Sequence, residues 1–170
     1  MKTWIQPAAA LTLLFSASQS PAQCPPVYGN TGAIPGVGDG YAGPSLMWND
    51  GSGDALYVGG SFTEIGGAFT NNLARYDAPT DTWMRLGTGL SNGFTNGFLA
   101  SMVPYAGRLV VAGRFTNAGG VAGTEAIAAW DGEIWQSLGL TVPAGNAIWD
   151  MAVGDLGQGP RLFVAGGSGV

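Results

Sequence analysis

The stretch LYVGGSFTEIGG at residues 56–67 occurs again at 109–120 as LVVAGRFTNAGG, and its first half returns at 162–167 as LFVAGG. Leu56, Leu109 and Leu162 stand 53 residues apart each time. A fixed period of this size means that one supersecondary unit is copied along the chain. Each copy buries its faces against its neighbours, because one unit cannot do so alone.

The repeated residues say what the unit is made of. Leu-Tyr-Val and Leu-Val-Val are short apolar runs with β-branched and aromatic members, suited to a strand buried on both faces. Gly59-Gly60, Ala112-Gly113 and Gly166-Gly167 end these runs. Residues this small let another backbone or a large ring come close. Phe62 and Phe115 follow as core anchors, and Gly66-Gly67 and Gly119-Gly120 read as tight turns. A phosphate-cradling loop would need a helix behind it, and no helical periodicity follows.

Taken in order, repeat one predicts strands at 45–48, 55–60, 73–77 and 82–86. Asn49–Asp54 and Ala78–Asp81 are turn-forming stretches between them. Repeat two predicts strands at 100–104, 108–113, 126–131 and 134–138, with Asp131-Gly132 as a hairpin signal. Repeat three supplies 149–153 and 161–166. Four short strands per repeat predict an all-β chain of β-propeller blades, each a four-stranded antiparallel sheet. Blade 1 spans 44–97, blade 2 spans 98–145, and 146–170 makes about half of a third. A ring of four such units needs about 212 residues, so the chain is expected to be a fragment of a longer protein, or else to self-associate through its open edge.

In repeat one, the Gly-Gly pair after an apolar strand, then Tyr76-Asp77, then Trp83 after six intervening residues, resembles kelch-type repeats of the galactose-oxidase-like propellers. Repeat two departs from that pattern: Ala112 replaces the first Gly, Trp130 takes the Tyr place, and Trp135 follows after four residues. The block G-x-F-T-x-x-G-G followed by A-x-W-D-G-x-x-W-x-x-L-G also looks like repeats of large secreted bacterial proteins. The resemblance covers residues 45–167. It implies a scaffold role for Gly59, Gly60, Tyr76 and Trp83 in blade 1 and for Gly113, Trp130 and Trp135 in blade 2. The copper oxidase of that family needs His ligands, and this chain has no His.

The same absence excludes Ser-His-Asp and Cys-His catalysis. With one Cys, a zinc site is excluded too. Asp50 and Asp54 flank Gly51-Ser52-Gly53 and could wrap Ca²⁺, but the other repeats lack the pair, and Asp and Gly are ordinary turn formers. Gly36–Gly40 lacks the strand and helix a dinucleotide loop requires. No catalytic residue and no cofactor are expected. Arg75, Arg85 and Arg114 have no counterpart in the sister repeat. Unrepeated polar residues on a repeated scaffold are where a site would sit, but surface arginines are common and these three are expected to face solvent.

Residues 1–22 read as a secretory signal peptide: Lys2, an apolar run from Ala8 to Phe15, and Ser20-Pro21-Ala22 before the cut. That run is too short to span a bilayer. Gln23 before Cys24 argues against lipidation of that Cys. Residues 23–43 are a Gly/Pro-rich linker. Beyond Ala22, five Arg stand against eleven acids, a balance that repels nucleic acid and anionic lipid. The chain is therefore expected to be secreted or extracytoplasmic, with a cell-surface location open to it. Its expected role is a non-catalytic binding or interaction module for a protein or carbohydrate. The alternatives are the N-terminal part of a larger secreted enzyme whose catalytic residues lie beyond residue 170, or a structural array of a cell-surface protein.

Overall fold

The computed structural model describes residues 36–91 and 97–168. The signal peptide, Cys24 and most of the Gly/Pro-rich linker lie outside them. The described residues form strands and turns, with no helix.

Strand β1 (Tyr41–Asn49) turns through Asp50–Gly53 into β2 (Asp54–Ser61). A small hairpin, β3 (Glu64–Ile65) and β4 (Ala68–Phe69), precedes β5 (Leu73–Asp77) and β6 (Thr82–Arg85). Strands β1, β2, β5 and β6 pair antiparallel in that order as the first sheet. After β7 (Leu90–Ser91), strands β8 (Phe98–Tyr105) and β9 (Arg108–Arg114), the short β10 (Asn117–Ala118), and then β11 (Ile127–Trp130) and β12 (Trp135–Gln136) follow. Strands β8, β9, β11 and β12 make the second sheet in the same sequential order. Strands β13 (Asn146–Asp155) and β14 (Pro160–Ser168) form a third, two-stranded sheet.

The three sheets stack face to face, and the alternation of side chains decides what each face buries. In the first sheet Ala55, Tyr57 and Leu73 point to the second, which answers with Leu109, Val111, Ala128, Trp130 and Trp135. On its other face the second sheet offers Val110, Ala112, Ile127 and Ala129 to Ile148, Met151 and Leu162 of the third. The far side of the first sheet carries Leu56, Val58, Ala74 and Trp83, covered in part by Phe62, Ile65 and Val37.

The repeated glycine has a cause that recurs three times. Gly60, Gly113 and Gly166 each sit opposite a register shift in the preceding strand, at Ala42/Ser45, Leu99/Ser101 and Ile148/Asp150. One extra residue there bows the backbone inward. A Cβ on Gly60 would lie 2.2 Å from the Tyr41 carbonyl oxygen, one on Gly113 2.1 Å from that of Phe98, and one on Gly166 2.5 Å from that of Ala147. No side chain fits in such a gap.

Several element bounds differ from the sequence expectation. The linker was expected to run to Gly43, yet β1 begins at Tyr41, paired with Ser61. The bulge absorbs Pro44, which has no N–H to donate. The last strand of the second sheet, expected over 134–138, is only Trp135–Gln136. Its start is delayed because the Asp131 carboxylate holds the amides of Glu133 and Ile134 in a turn. Strand β13 starts three residues before the expected 149, and β7–β10, which pairs Ser91 with Asn117 and Leu90 with Ala118, has no periodicity that could announce it.

Candidate functional site

The scaffold residues come together in pairs. Tyr76 and Trp83 lie opposite each other across β5 and β6, with ring centroids 5.1 Å apart. Trp130 and Trp135 do the same across β11 and β12, also at 5.1 Å, although their hairpin is two residues shorter. The turn glycines pack on the second ring of each pair. A Cβ on Gly66 would fall 2.2 Å from Trp83, and one on Gly119 2.5 Å from Trp135. Gly66 and Gly67 have φ of 59° and 77°, as a two-residue hairpin turn requires. Gly59 faces the second sheet, where its Cβ would meet Leu99 at 2.6 Å. Phe62 and Phe115 are buried. Gly167 lies in β14 with open space around it.

The two tryptophans differ in one bond. Trp135 Nε1 donates to the Leu86 carbonyl at 3.0 Å and so ties the second sheet to the first. Trp83 faces away from that interface, and its Nε1 is buried with no acceptor.

The unrepeated polar residues gather where the first two sheets meet. Arg75 was expected to face solvent, but its side chain is only 12% exposed and that of Asp50 8%. Arg75 Nε lies 3.0 Å from Asp50 Oδ2, Nη1 lies 3.2 Å from Asp77 Oδ1, and Nη2 donates to Ser52 Oγ at 2.8 Å. Asp50 also accepts from the Tyr57 hydroxyl at 2.9 Å and from the Ser52 amide at 2.9 Å. Burial alone would raise the Asp50 pKa. The hydrogen bonds from Ser52 and Tyr57 and the charge of Arg75 outweigh it and hold the carboxyl below its ordinary value. Burial, then the bond to Asp50, pushes the Tyr57 hydroxyl up. Both oxygens of Asp50 are engaged, and the guanidinium is held by hydrogen bonds from Nη1 and Nη2 and by the ion-pair contact of Nε with Asp50, although Nε itself makes no hydrogen bond. The cluster therefore fixes the β1–β2 turn onto β5 and does not hold a cation. Asp54 is separately engaged, accepting from Asn49 Nδ2 at 3.1 Å. Among the described residues no group of three metal-ligating side chains occurs.

Next to this cluster a cavity of about 290 Å³ opens, lined by Asp50, Ser52, Arg75, Met84, Arg85, Leu86, Trp130 and Gly132. Gly132 brings the second sheet's hairpin against the first sheet: a Cβ there would sit 2.6 Å from the Asp50 carbonyl oxygen. Arg85 reaches the Gly87 carbonyl through Nε at 3.2 Å. No carboxylate among the described residues lies within ion-pair distance of it. A second cleft, about 380 Å³, shares Trp130 and adds Trp135, Val121 and the exposed Ile134. Trp130 thus stands between two openings on one seam. Arg114, the third unrepeated arginine, lies at the end of β9 opposite Phe98.

Comparison with protein-family models, with curated proteins and with solved structures finds no match to this chain.

Proposed function

We propose that the chain is a secreted, non-catalytic binding module built of kelch-like propeller blades, and that it holds its ligand at the Trp130 seam. The blade reading draws support from the two four-stranded sheets of equal strand order, the thrice-repeated glycine opposite a bulge, and the contacts of β8 with β1 on one side and β13 on the other. First strands that neighbour one another suit a shared central axis.

The observation that carries the binding reading is the seam cavity. It combines a cationic group with no acidic partner among the described residues, Arg85, with apolar walls from Met84, Leu86 and Trp130 between two sheets. Few polar groups converging on an apolar cleft are the usual make-up of a ligand site. The volume suits one sugar ring or one protruding acidic side chain. The one hydroxyl–carboxylate pair at the seam, Ser52 Oγ donating to Asp50 Oδ1, is tied up by Arg75, which bonds both residues, and this supports retention over turnover as its chemistry.

Binding of the full chain to an array of neutral and acidic glycans, repeated with Arg85→Ala, tests this. The expected result is a retained glycan whose affinity falls at least tenfold in the variant at unchanged melting temperature. Binding indifferent to Arg85, binding to no glycan, or release of a cleaved product overturns the reading.

A further inference from the structure

The turns that lead into β5 and β11 use the same backbone bonds. Asn72 and its counterpart Ala126 both lie in the left-handed region, at φ 67° and 59°. The Asn72 amide donates to the Phe62 carbonyl at 2.7 Å, and the Ala126 amide to that of Phe115 at 3.1 Å. The carbonyls of Asn72 and Ala126 accept from Gly60 N and Gly113 N, each at 3.0 Å. Only the side chains differ. Asn72 Oδ1 accepts from the Phe62 amide at 3.0 Å. Ala126 has no such oxygen, and the amide of Phe115, a residue 2% exposed, has no acceptor among the described residues. A buried N–H without a partner is costly.

Room for an acceptor lies beside that amide. A cavity of about 240 Å³ has apolar walls from Phe115, Ala126, Pro143 and Ala144, and Glu125 is the one charged residue lining it. All of its lining residues fall between Phe115 and Asn146, in the interior of the described chain. Pro143 stands one period after Leu90, which is buried in the core between the first two sheets. Ala126 for Asn72 and Pro143 for Leu90 are both losses of volume, and the cavity touches both. Glu125 stands where the first copy has Asn71, and no basic side chain among the described residues pairs with it.

We propose that this cavity binds an acetamido group, as carried by an N-acetylated amino sugar. The first copy displays the chemistry: a planar amide, that of Asn72, whose oxygen takes the N–H of the phenylalanine. In the second copy the ligand supplies the amide. Its carbonyl oxygen accepts from Phe115 N, its N–H donates to the Glu125 carboxylate, and its methyl packs on Pro143 and Ala144. Glu125 repels a carboxylate in the same place. A sugar with hydroxyls alone leaves the apolar wall uncovered, and a peptide carboxamide has no methyl to set against it. A few polar groups in an apolar cleft fix a small ligand's orientation, and a site built to hydrogen-bond one group rejects analogues that lack it. The cavity shares no lining residue with the Trp130 seam, so it stands whatever that seam binds.

The probes are N-acetylglucosamine, glucose and the tripeptide Gly-Gln-Gly, each titrated into the isotope-labelled full chain while backbone amide resonances are followed by NMR. N-acetylglucosamine is expected to shift the Phe115 and Ala126 amides saturably, with glucose and the tripeptide weaker by roughly tenfold or more. Ala126→Asn supplies the oxygen from the protein itself. It should fold with a raised melting temperature and lose the sugar response at Phe115. Glu125→Ala, at an exposed side chain, should weaken the sugar roughly tenfold and remains decisive if Ala126→Asn does not fold. No shift at Phe115, shifts confined to the Trp130 seam, an equal response to glucose or to the tripeptide, or sugar binding unchanged in either folded variant overturns the proposal.

Discussion

The two equivalent tryptophans offer a controlled comparison, because one chemical change should cost different amounts at the two sites. Trp→Phe trims a ring and removes an N–H donor. At Trp135 the lost donor leaves the Leu86 carbonyl without the bond it accepts at 3.0 Å between the sheets. That carbonyl keeps the bond it accepts from the Gly89 amide at 2.9 Å, so losing one of its two bonds costs about 0.5–1.5 kcal/mol. At Trp83 the donor is already buried and unpartnered, so its removal relieves a penalty of about 1–3 kcal/mol. Both rings are buried against equivalent turn glycines, Gly66 and Gly119, so the trimmed volume contributes about equally, on the order of 1–2 kcal/mol. Trp135→Phe is therefore expected to destabilise by about 1.5–3.5 kcal/mol and Trp83→Phe by about 1 kcal/mol or less. For a chain of this length a gap of about 2 kcal/mol corresponds to ~4–8 °C in melting temperature. Thermal unfolding of both variants beside the parent, followed by far-ultraviolet circular dichroism, measures it. Equal losses at the two positions, or a larger loss at Trp83, would refute the assignment of the inter-sheet bond as the difference between them.

Three further outcomes follow from the geometry. Gly113→Ala puts a methyl 2.1 Å from the Phe98 carbonyl oxygen and should cost several kcal/mol or abolish folding, while Ala112→Gly next to it should cost about 1 kcal/mol; urea midpoints of the two compare them. Ala126 sits at φ 59°, where its counterpart Asn72 is at 67° and accepts from the Phe62 amide at 3.0 Å. Ala126→Asn should raise the melting temperature, by about 0.5–1 kcal/mol of stability, since Asn tolerates the left-handed region and Ala does not. Asp39, Asp77 and Asp131 are all held below the ordinary carboxylate pKa of 3.8, first by the Thr63 amide, the Thr80 hydroxyl and the Ile134 amide respectively. A carboxylate with a lowered folded pKa stabilises above its unfolded value and loses that contribution as pH falls through the folded one. The melting temperature should therefore be level down to about pH 5 and drop below about pH 4, with a shallower drop in Asp131→Asn.

The sequence carried the parts of the fold that the period repeats. Leu73–Asp77 was legible to the residue, because an apolar start, an aromatic and a Pro-Thr-Asp turn bound it on both sides. The repeated glycine was legible as a close-approach site, but its cause was not. The bulges at Ala42/Ser45, Leu99/Ser101 and Ile148/Asp150 fall in first strands that share no residue pattern. Strand β12 was overestimated because Ile134 is apolar and reads as strand, while the Asp131 carboxylate that holds its amide in the turn acts through a side-chain bond no periodicity reveals. The Gly-rich lead-in concealed another such bond: Asp39 accepts from the Thr63 amide at 2.8 Å and from its hydroxyl at 2.9 Å, so residues read as loose are pinned to the connection between β2 and β3.

The candidate site was legible only as a difference between copies. On the face that each sheet turns toward the next, the second sheet has Val110 and Ala129 where the first has Tyr57 and Arg75. The apolar pair closes tightly on the third sheet. The polar pair is larger and needs Asp50 and Ser52 to satisfy it, and a cavity lies beside this group at the seam between the first and second sheets. Had the first copy carried Val and Ala, Asp50 would have lacked its Tyr57 and Arg75 partners and Ser52 its Arg75 bond. The substitution that appears in the sequence as an unrepeated Arg75 therefore acts in the fold as a wedge. Arg75 itself is consumed by its two carboxylates, which leaves Arg85, one strand further out and without an acid of its own, as the charge a ligand would meet.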